Sequence, residues 1–102
     1  MFIIPVYKTG NQLSNVLAIS KTATDDNKFR LVQSEMWFRE GNFHIITNNA
    51  KYGDTNTQDA TITAGDIVTF QDFNLADIFF INATGGSNTT VYFVGIKKEV
   101  FK

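Results

Sequence analysis

The sequence predicts an all-β fold, an antiparallel β-sandwich of the jelly-roll type. Its apolar runs are four to eight residues long, as in strands, and they alternate with turn signals rich in Gly, Asn and Asp. Seven or eight such runs follow one another without a long helical period, which is typical of small sandwiches and barrels. With 102 residues, 43% of them hydrophobic and ten of them Phe, the chain has material for one core. We therefore interpret residues 1–102 as a single β-sandwich domain.

The N-terminal part contains two predicted strands. In residues 1–8, Phe2, Ile4 and Val6 alternate with other side chains, but Pro5 cannot donate a ladder hydrogen bond. This segment is therefore expected to be an edge strand or an N-terminal arm. A turn at residues 10–11 precedes a strand over 13–20, which alternates with one weak spot.

The middle of the chain allows two interpretations. Residues 29–39 form either a strand or a helix capped by Thr24 or Asp25. The turn-like sequence at 40–42 and the apolar run at 43–47 favour a strand within a hairpin. Residues 48–59 have few apolar side chains, and we expect them to form the longest loop.

The C-terminal unit is predicted to alternate strands and turns. A turn at Gly65 and Asp66 opens an apolar strand, a second strand covers 75–82, and a third covers 89–96. The Gly-rich residues 83–88 between the last two are expected to form a flexible hairpin loop.

Charge and composition exclude several function classes. The net charge is −1, and the one basic cluster, Lys97, Lys98 and Lys102, gives no face able to neutralise several phosphates. We therefore expect no nucleic-acid partner. No run approaches the ~20 apolar residues of a membrane helix, and residues 1–8 lack the pattern of a secretion signal. The absence of Cys fits a protein made in a reducing cytoplasm.

No residue pattern indicates catalysis or metal binding. His44 is the one histidine, it lies in an apolar run, and it has no Cys or second His as a partner. Residues 54–59 alternate oxygen ligands as calcium loops do, but the required Gly and Glu positions are not matched. Gly85 and Gly86 precede a strand, whereas phosphate-binding loops precede a helix. We predict no catalytic, metal or cofactor-binding residues, no cofactor and no enzymatic activity.

A carbohydrate-binding module is one alternative function. Trp37 and Tyr52 offer stacking platforms, with Asn49 and Asn56 as hydrogen-bonding partners, and Tyr52 is the aromatic residue that we expect to be most exposed.

A second alternative comes from residues 65–70, Gly-Asp-Ile-Val-Thr-Phe. They resemble the start of the second cupin motif, although the same residues also suit an ordinary turn. The His that follows in cupins is missing, and so is the earlier His-x-His. The resemblance implies a small cupin-like protein that lacks the metal site.

Residues 62–96 resemble small virion proteins of tailed bacteriophages: head-decoration, head-fibre or accessory structural proteins. The resemblance lies in the Ala-Gly-Asp turn, in Asn-Leu-Ala-Asp-Ile-Phe-Phe and in Ala-Thr-Gly-Gly-Ser-Asn-Thr-Thr-Val-Tyr-Phe-Val-Gly. It implies a non-enzymatic structural component of the virion that is assembled in the host cytoplasm and binds capsid or tail subunits. This is our main functional hypothesis.

The strands predicted over 75–82 and 89–96 have apolar residues on both faces, and this pattern predicts association with a partner. A two-layer fold buries one face of each strand, so the other face would remain exposed unless a partner covers it. We expect a homo-oligomer that also contacts other virion proteins. The candidate contact residues are Ile78, Phe79, Phe80, Ile81, Tyr92 and Val94.

Overall fold

The computed structural model describes residues 15–98, and the predicted arm at 1–8 lies outside this range. The strands are β1 (Val16–Thr22), β2 (Trp37–Ile46), β3 (Ala50–Gly53), β4 (Ala60–Ile62), β5 (Ile67–Asn74), β6 (Phe79–Asn82) and β7 (Thr90–Lys97). One 3₁₀ turn, Leu75–Asp77, connects β5 to β6. No helix within 15–98 is long and apolar enough to cross a membrane.

The strands form two antiparallel sheets, which confirms the predicted fold class. The four-stranded sheet has the order β1-β7-β2-β5, and the three-stranded sheet has the order β4-β3-β6. An isolated bridge at Phe29 adds one backbone pair beside β6, with Phe29 N–H donating to the Phe80 carbonyl at 2.8 Å. The two sheets face each other across one core.

Phenylalanine rings fill the space between the sheets. Phe38, Phe43 and Phe93 project inward from the four-stranded sheet, and Phe80 meets them from β6; each is at most 1% exposed. Ring centroids are 4.8 Å apart for Phe43 and Phe93, and 5.3 Å apart for Phe43 and Phe80. These separations suit tilted aromatic packing, so the rings add specific contacts to the burial of apolar area.

Glycine makes room for this cluster. A Cβ atom at Gly41 would overlap the Phe93 ring and lie 2.8 Å from Phe73 Cζ. A Cβ at Gly95, which lies on β7 with Phe93 and pairs with Gly41, would overlap the same ring. The predicted hairpin turn at 40–42 is therefore wrong. Gly41 lies inside the continuous strand β2 because its missing side chain leaves space for a ring.

Residues 29–39 were predicted as a strand or a helix, but residues 30–36 form neither. Only the ends of the segment have strand structure, at the Phe29 bridge and from Trp37, where β2 begins. Side-chain hydrogen bonds fix its end: Asn74 Oδ1 accepts from the Met36 N–H at 2.9 Å and from the Ala76 N–H at 3.1 Å. Local capping of this kind competes with regular structure.

The long loop predicted over 48–59 is shorter than expected. Ala50–Gly53 forms β3, which pairs with both β4 and β6, and this leaves 54–59 as the loop. Tyr52 is half-buried rather than the most exposed aromatic, because its ring packs 5.6 Å from that of Phe70. The turn predicted at Gly65 is present, and Gly65 has a φ of 97°.

The predicted hairpin between the last two strands is also wrong. Residues 75–77 form the 3₁₀ turn, and β6 and β7 lie in different sheets, so residues 83–89 cross from one sheet to the other. Asn82 anchors this crossing: its Nδ2 donates to Asp26 Oδ1 at 3.1 Å, and its Oδ1 accepts from the Thr89 N–H at 2.9 Å. Hydrogen bonds therefore hold the Gly-rich loop in place at both of its ends.

Asp26 completes this anchor and makes it sensitive to acid. The Gly86 N–H donates to the Asp26 carboxylate at 2.9 Å, and this bond, followed by the one from Asn82, lowers the pKa of Asp26 below its usual value of 3.8. A carboxyl group with a lowered folded-state pKa stabilises the fold above its unfolded-state pKa. That contribution is lost as the pH falls through the folded-state pKa.

We therefore expect the thermal midpoint of the wild type to fall more steeply between about pH 5 and about pH 3 than that of an Asp26→Asn variant. Differential scanning fluorimetry across this range measures both slopes. Asp59→Asn, in the exposed 54–59 loop, serves as the control and should keep the wild-type slope. Equal slopes for the wild type and Asp26→Asn would contradict the role given to this carboxylate.

Candidate functional site

The interior of the sandwich is filled mainly by apolar side chains. Among residues 15–98, the buried polar side chains are Asn82 and Thr89, and both belong to the loop anchor. No group of three or more His, Asp or Glu side chains in this range is placed to hold a metal ion. His44 points outward from β2 and is exposed. The side chains of residues 15–98 that a ligand or partner can reach therefore lie on the surface of the sandwich.

The outer face of the four-stranded sheet is the most unusual surface. Because side chains alternate across a strand and paired residues share a face, the register defines three complete rows across β1, β7, β2 and β5. The rows are Val16, Ile96, Glu40 and Gln71; Ala18, Val94, Asn42 and Thr69; and Ser20, Tyr92, His44 and Ile67. A shorter row of Thr22, Thr90 and Ile46 follows. We call these residues the outer face.

Large apolar side chains are exposed on the outer face. Val94 is 52% exposed at its centre, and Ile67 is 60% exposed at its edge. The other exposed large apolar residues in these rows are Val16, Tyr92 and Ile96. Single exposed apolar residues are common on proteins, but a contiguous group of them usually marks an interaction surface.

Charge is nearly absent from the outer face. Glu40 is the one residue of these rows with a carboxylate or a cationic side chain, and the exposed Arg39 precedes it at the bulge in β2. The remaining polar residues of the rows are Ser, Thr, Asn, Gln and His. Some of the polar groups already bond to each other across strands. Thr69 Oγ1 donates to Asn42 Oδ1 at 2.7 Å, and the hydroxyls of Thr22 and Thr90 are 2.9 Å apart. Covering this face would therefore remove few charges from water.

The contact residues named from the sequence divide into three groups. Tyr92 and Val94 lie on the outer face, whereas Ile78 and Phe80 are 8% and 0% exposed. The prediction that Ile78 and Phe80 form part of the contact surface is therefore wrong. Both side chains are buried in the core, where Phe80 packs on Phe43, and neither can reach a partner. Phe79 and Ile81 are half-buried on β6, in the other sheet.

The residues named for a glycan site are not gathered at one place. Trp37 is 42% exposed at the start of β2, while Tyr52 lies half-buried on β3 in the other sheet. Asn49 Oδ1 accepts from the Ala64 N–H at 2.8 Å, and Asn56 is exposed in the 54–59 loop. Val16, Ile67 and Ile96 lie on the outer face but were not among the predicted contact residues. The alternation of apolar residues within 16–20 and 90–97 was the sequence signal that could have indicated them. Which of the alternating residues point outward, however, depends on which strands pair.

No family model and no curated protein matches the sequence. The structure is similar to a RmlC-like cupin family protein with a double-stranded β-helix fold from Methanocaldococcus jannaschii, with a TM-score of 0.58, 10% identity, and coverage of 80% of this chain and 70% of that one. It is also similar to an uncharacterized conserved protein with a double-stranded β-helix domain from Klebsiella pneumoniae, with a TM-score of 0.57, 13% identity, and coverage of 80% and 67%.

These two similarities show the fold, a jelly-roll-like double-stranded β-helix. A third, to the coat protein dimer of Tobacco streak virus, covers 87% of this chain and 90% of that one at 7% identity. Its TM-score of 0.33 is too low to support an argument. The fold therefore agrees with the strand plan that the cupin resemblance implied.

Proposed function

We propose that this chain is a cupin-like double-stranded β-helix domain without a metal site, and that it acts as a non-catalytic assembly subunit. It pairs with a second copy of itself through the outer face. The observation that carries the proposal is the contiguous exposure of Val16, Tyr92, Val94 and Ile96 on two adjacent strands.

A second copy is the partner that the charge of the outer face favours. Two copies of a face with one carboxylate each repel each other little, whereas a strongly charged partner would find no complementary charge there. Val94 lies on a central strand in the middle of the three complete rows. A two-fold axis near this position would bring the apolar side chains of both copies together, as symmetric dimers require.

The size of the outer face places it among small specific interfaces, many of which are weak or transient. Four strands about 4.8 Å apart and seven paired positions about 3.3 Å apart give a flat footprint of roughly 19 by 23 Å. With side-chain relief, this approaches the ~600 Å² per partner at the low end of specific interfaces. We therefore expect a dimer of moderate affinity that dissociates at micromolar concentrations.

The narrower form of the proposal is a structural subunit of a bacteriophage virion that is assembled in the host cytoplasm and bound to capsid or tail proteins. The resemblance of residues 62–96 supports it. Purified phage particles that encode this chain provide the test. Its presence in stoichiometric amounts after density-gradient purification would support this form, and its absence from the particles would contradict it without affecting the dimer.

Val94→Asp should convert the dimer to a monomer. A carboxylate at the centre of the outer face would have to be buried without a partner, which is strongly unfavourable. In sedimentation equilibrium at about 100 µM, we expect a dimer mass for the wild type and a monomer mass for Val94→Asp. Thr61→Asp, which adds the same charge to an exposed strand position of the three-stranded sheet, should remain dimeric.

Two outcomes would contradict the proposal. One is a wild-type monomer at all concentrations up to about 1 mM. The other is dissociation by Thr61→Asp to the same degree as by Val94→Asp. If residues 1–14 of the same chain cover the outer face instead, the wild type will be a monomer, and Val94→Asp will lower its thermal midpoint more than Thr61→Asp does.

A further inference from the structure

Three cations lie together at one open edge of the sandwich. Between β1 and the Phe29 bridge beside β6, a cleft of about 330 Å³ is lined by Lys21, Lys28, Phe29, Arg30, Gln33 and Phe79. We call it the basic cleft. It contains three cationic side chains and no carboxylate, although the whole protein has a net charge of −1. None of its residues belongs to the outer face.

The three cations surround two phenylalanine rings. Lys28 Nζ lies 5.3 Å from the centroid of the Phe79 ring, and the guanidinium carbon of Arg30 lies 5.2 Å from the same centroid. Lys21 Nζ is 6.0 Å from the centroid of Phe29. Cation–π attraction of this kind is worth ~0.5–1 kcal/mol at exposed sites, so it partly offsets the mutual repulsion of the cations.

Neutral groups hold two of these cations in place. Arg30 Nη1 donates to the Ala76 carbonyl at 3.1 Å, and its Nε donates to Gln33 Oε1 at 3.3 Å. Lys28 Nζ donates to the Thr55 carbonyl. Within residues 15–98, the one salt bridge is between Lys98 and Asp72, neither of which lines the basic cleft. No cation of the basic cleft thus has a carboxylate partner within 4 Å. Lys28 also interacts with Asp54 at longer range, so the charges of Lys21 and Arg30 are the more available to an anion.

The nearest carboxylates limit the size of such an anion. Asp54 and Asp77 line the neighbouring cleft on the other side of Arg30 and Phe79, and Asp25 lines a second neighbouring cleft that shares Lys21, Lys28 and Phe29 with the basic cleft. The backbone N–H groups of Thr57 and Asn56 lower the pKa of Asp54, and Lys28 adds to this effect, so the carboxylate stays ionised. A long polyanion would run into these negative charges, whereas a small ligand within the basic cleft would not.

We propose that the basic cleft binds a small organic anion, in which an oxyanion group is joined to an apolar or planar body. The oxyanion would lie between Lys21, Lys28 and Arg30, and the body would rest against the exposed parts of Phe29 and Phe79. Phosphate, sulfate and carboxylate groups share this chemistry, since each accepts charge-assisted hydrogen bonds from ammonium and guanidinium donors. The site is independent of the proposed assembly function.

Isothermal titration calorimetry with phenyl phosphate, phenyl sulfate and benzoate tests the proposal and identifies the preferred oxyanion. Inorganic phosphate and benzamide serve as probes that lack the body or the charge. We expect at least one of the three aryl anions to bind more tightly than both of these probes, and its binding to weaken as salt is added.

Variants locate the binding. Lys21→Gln removes a charge from the cleft without disturbing an internal hydrogen bond of residues 15–98, and Arg30→Gln removes the best-held cation. Each should weaken binding about ten- to hundredfold. Lys51→Gln, on β3 and outside the cleft, should leave the affinity unchanged. The absence of binding by all three aryl anions at about 10 mM, or equal losses in Lys51→Gln and Lys21→Gln, would overturn the proposal.

Discussion

Replacing Phe43 by alanine should lower the free energy of unfolding by about 3–5 kcal/mol. This loss is a large fraction of the total stability expected for a domain of this size. Phe43 is fully buried, and its ring lies within 5.4 Å, centroid to centroid, of the rings of Phe70, Phe80 and Phe93. Its removal leaves a cavity where the two sheets meet. Because the surrounding rings come from both sheets, the cavity cannot close by a local shift.

Chemical denaturation followed by circular dichroism measures this loss. Phe79→Ala is the matched control, since Phe79 is half-buried on β6 and its removal exposes the site to solvent rather than creating an enclosed cavity. We expect the control to lose less than about 2 kcal/mol. Equal losses at both positions would show that the core does not centre on Phe43.

Opposite charges at position 94 should create a heterodimer from two monomers. Val94→Asp and Val94→Lys each place a charge at the centre of the outer face, and each should be monomeric by itself because like charges would meet across a symmetric interface. When the two variants are mixed, an Asp and a Lys face each other, and a dimer should form again. The expected change in the dissociation constant between separate and mixed samples is at least about tenfold.

Sedimentation equilibrium of each variant and of the equimolar mixture measures this effect. The same pair of substitutions at Thr61, on the three-stranded sheet, provides the control and should leave all samples dimeric. If the mixed Val94 variants stay monomeric while the wild type dimerises, the contact is not centred on Val94. Salt at about 1 M should weaken the mixed dimer more than the wild-type dimer, since screening acts on the new charge pair.

The sequence predicted the fold class because alternation and turn residues are local signals. The strand predicted over 13–20 overlaps β1 at Val16–Thr22, and the turn at Gly65 is where local signals placed it. Gly41 was misinterpreted as a turn because glycine serves two purposes, and a close approach of the Phe93 ring is a long-range feature. β3 was missed because its four residues contain little apolar material and owe their structure to pairing with β4 and β6.

The candidate site was predicted in part for the same reason. Tyr92 and Val94 alternate with buried neighbours, so the outward set of β7 was one of the two possibilities that the sequence offered. The sequence could not show that β6 and β7 belong to different sheets, because the crossing depends on Asn82 and Asp26 meeting across 56 residues of chain. Ile78 and Phe80 were therefore placed beside β7 when they belong to the core. The basic cleft combines residues from β1, the 28–33 segment and β6. Because these residues are far apart in the sequence, no local sequence pattern predicts the cleft.

Two-dimensional NMR spectra of the wild-type protein at about 20 µM and about 1 mM test the central claim most directly. They observe every backbone amide without a mutation, and they locate any contact that forms as the concentration rises. We expect concentration-dependent shifts to cluster on the outer face, at Val16, Tyr92, Val94 and Ile96 and their cross-strand neighbours. Spectra that do not change, or shifts confined to the three-stranded sheet and the basic cleft, would contradict assembly through the outer face.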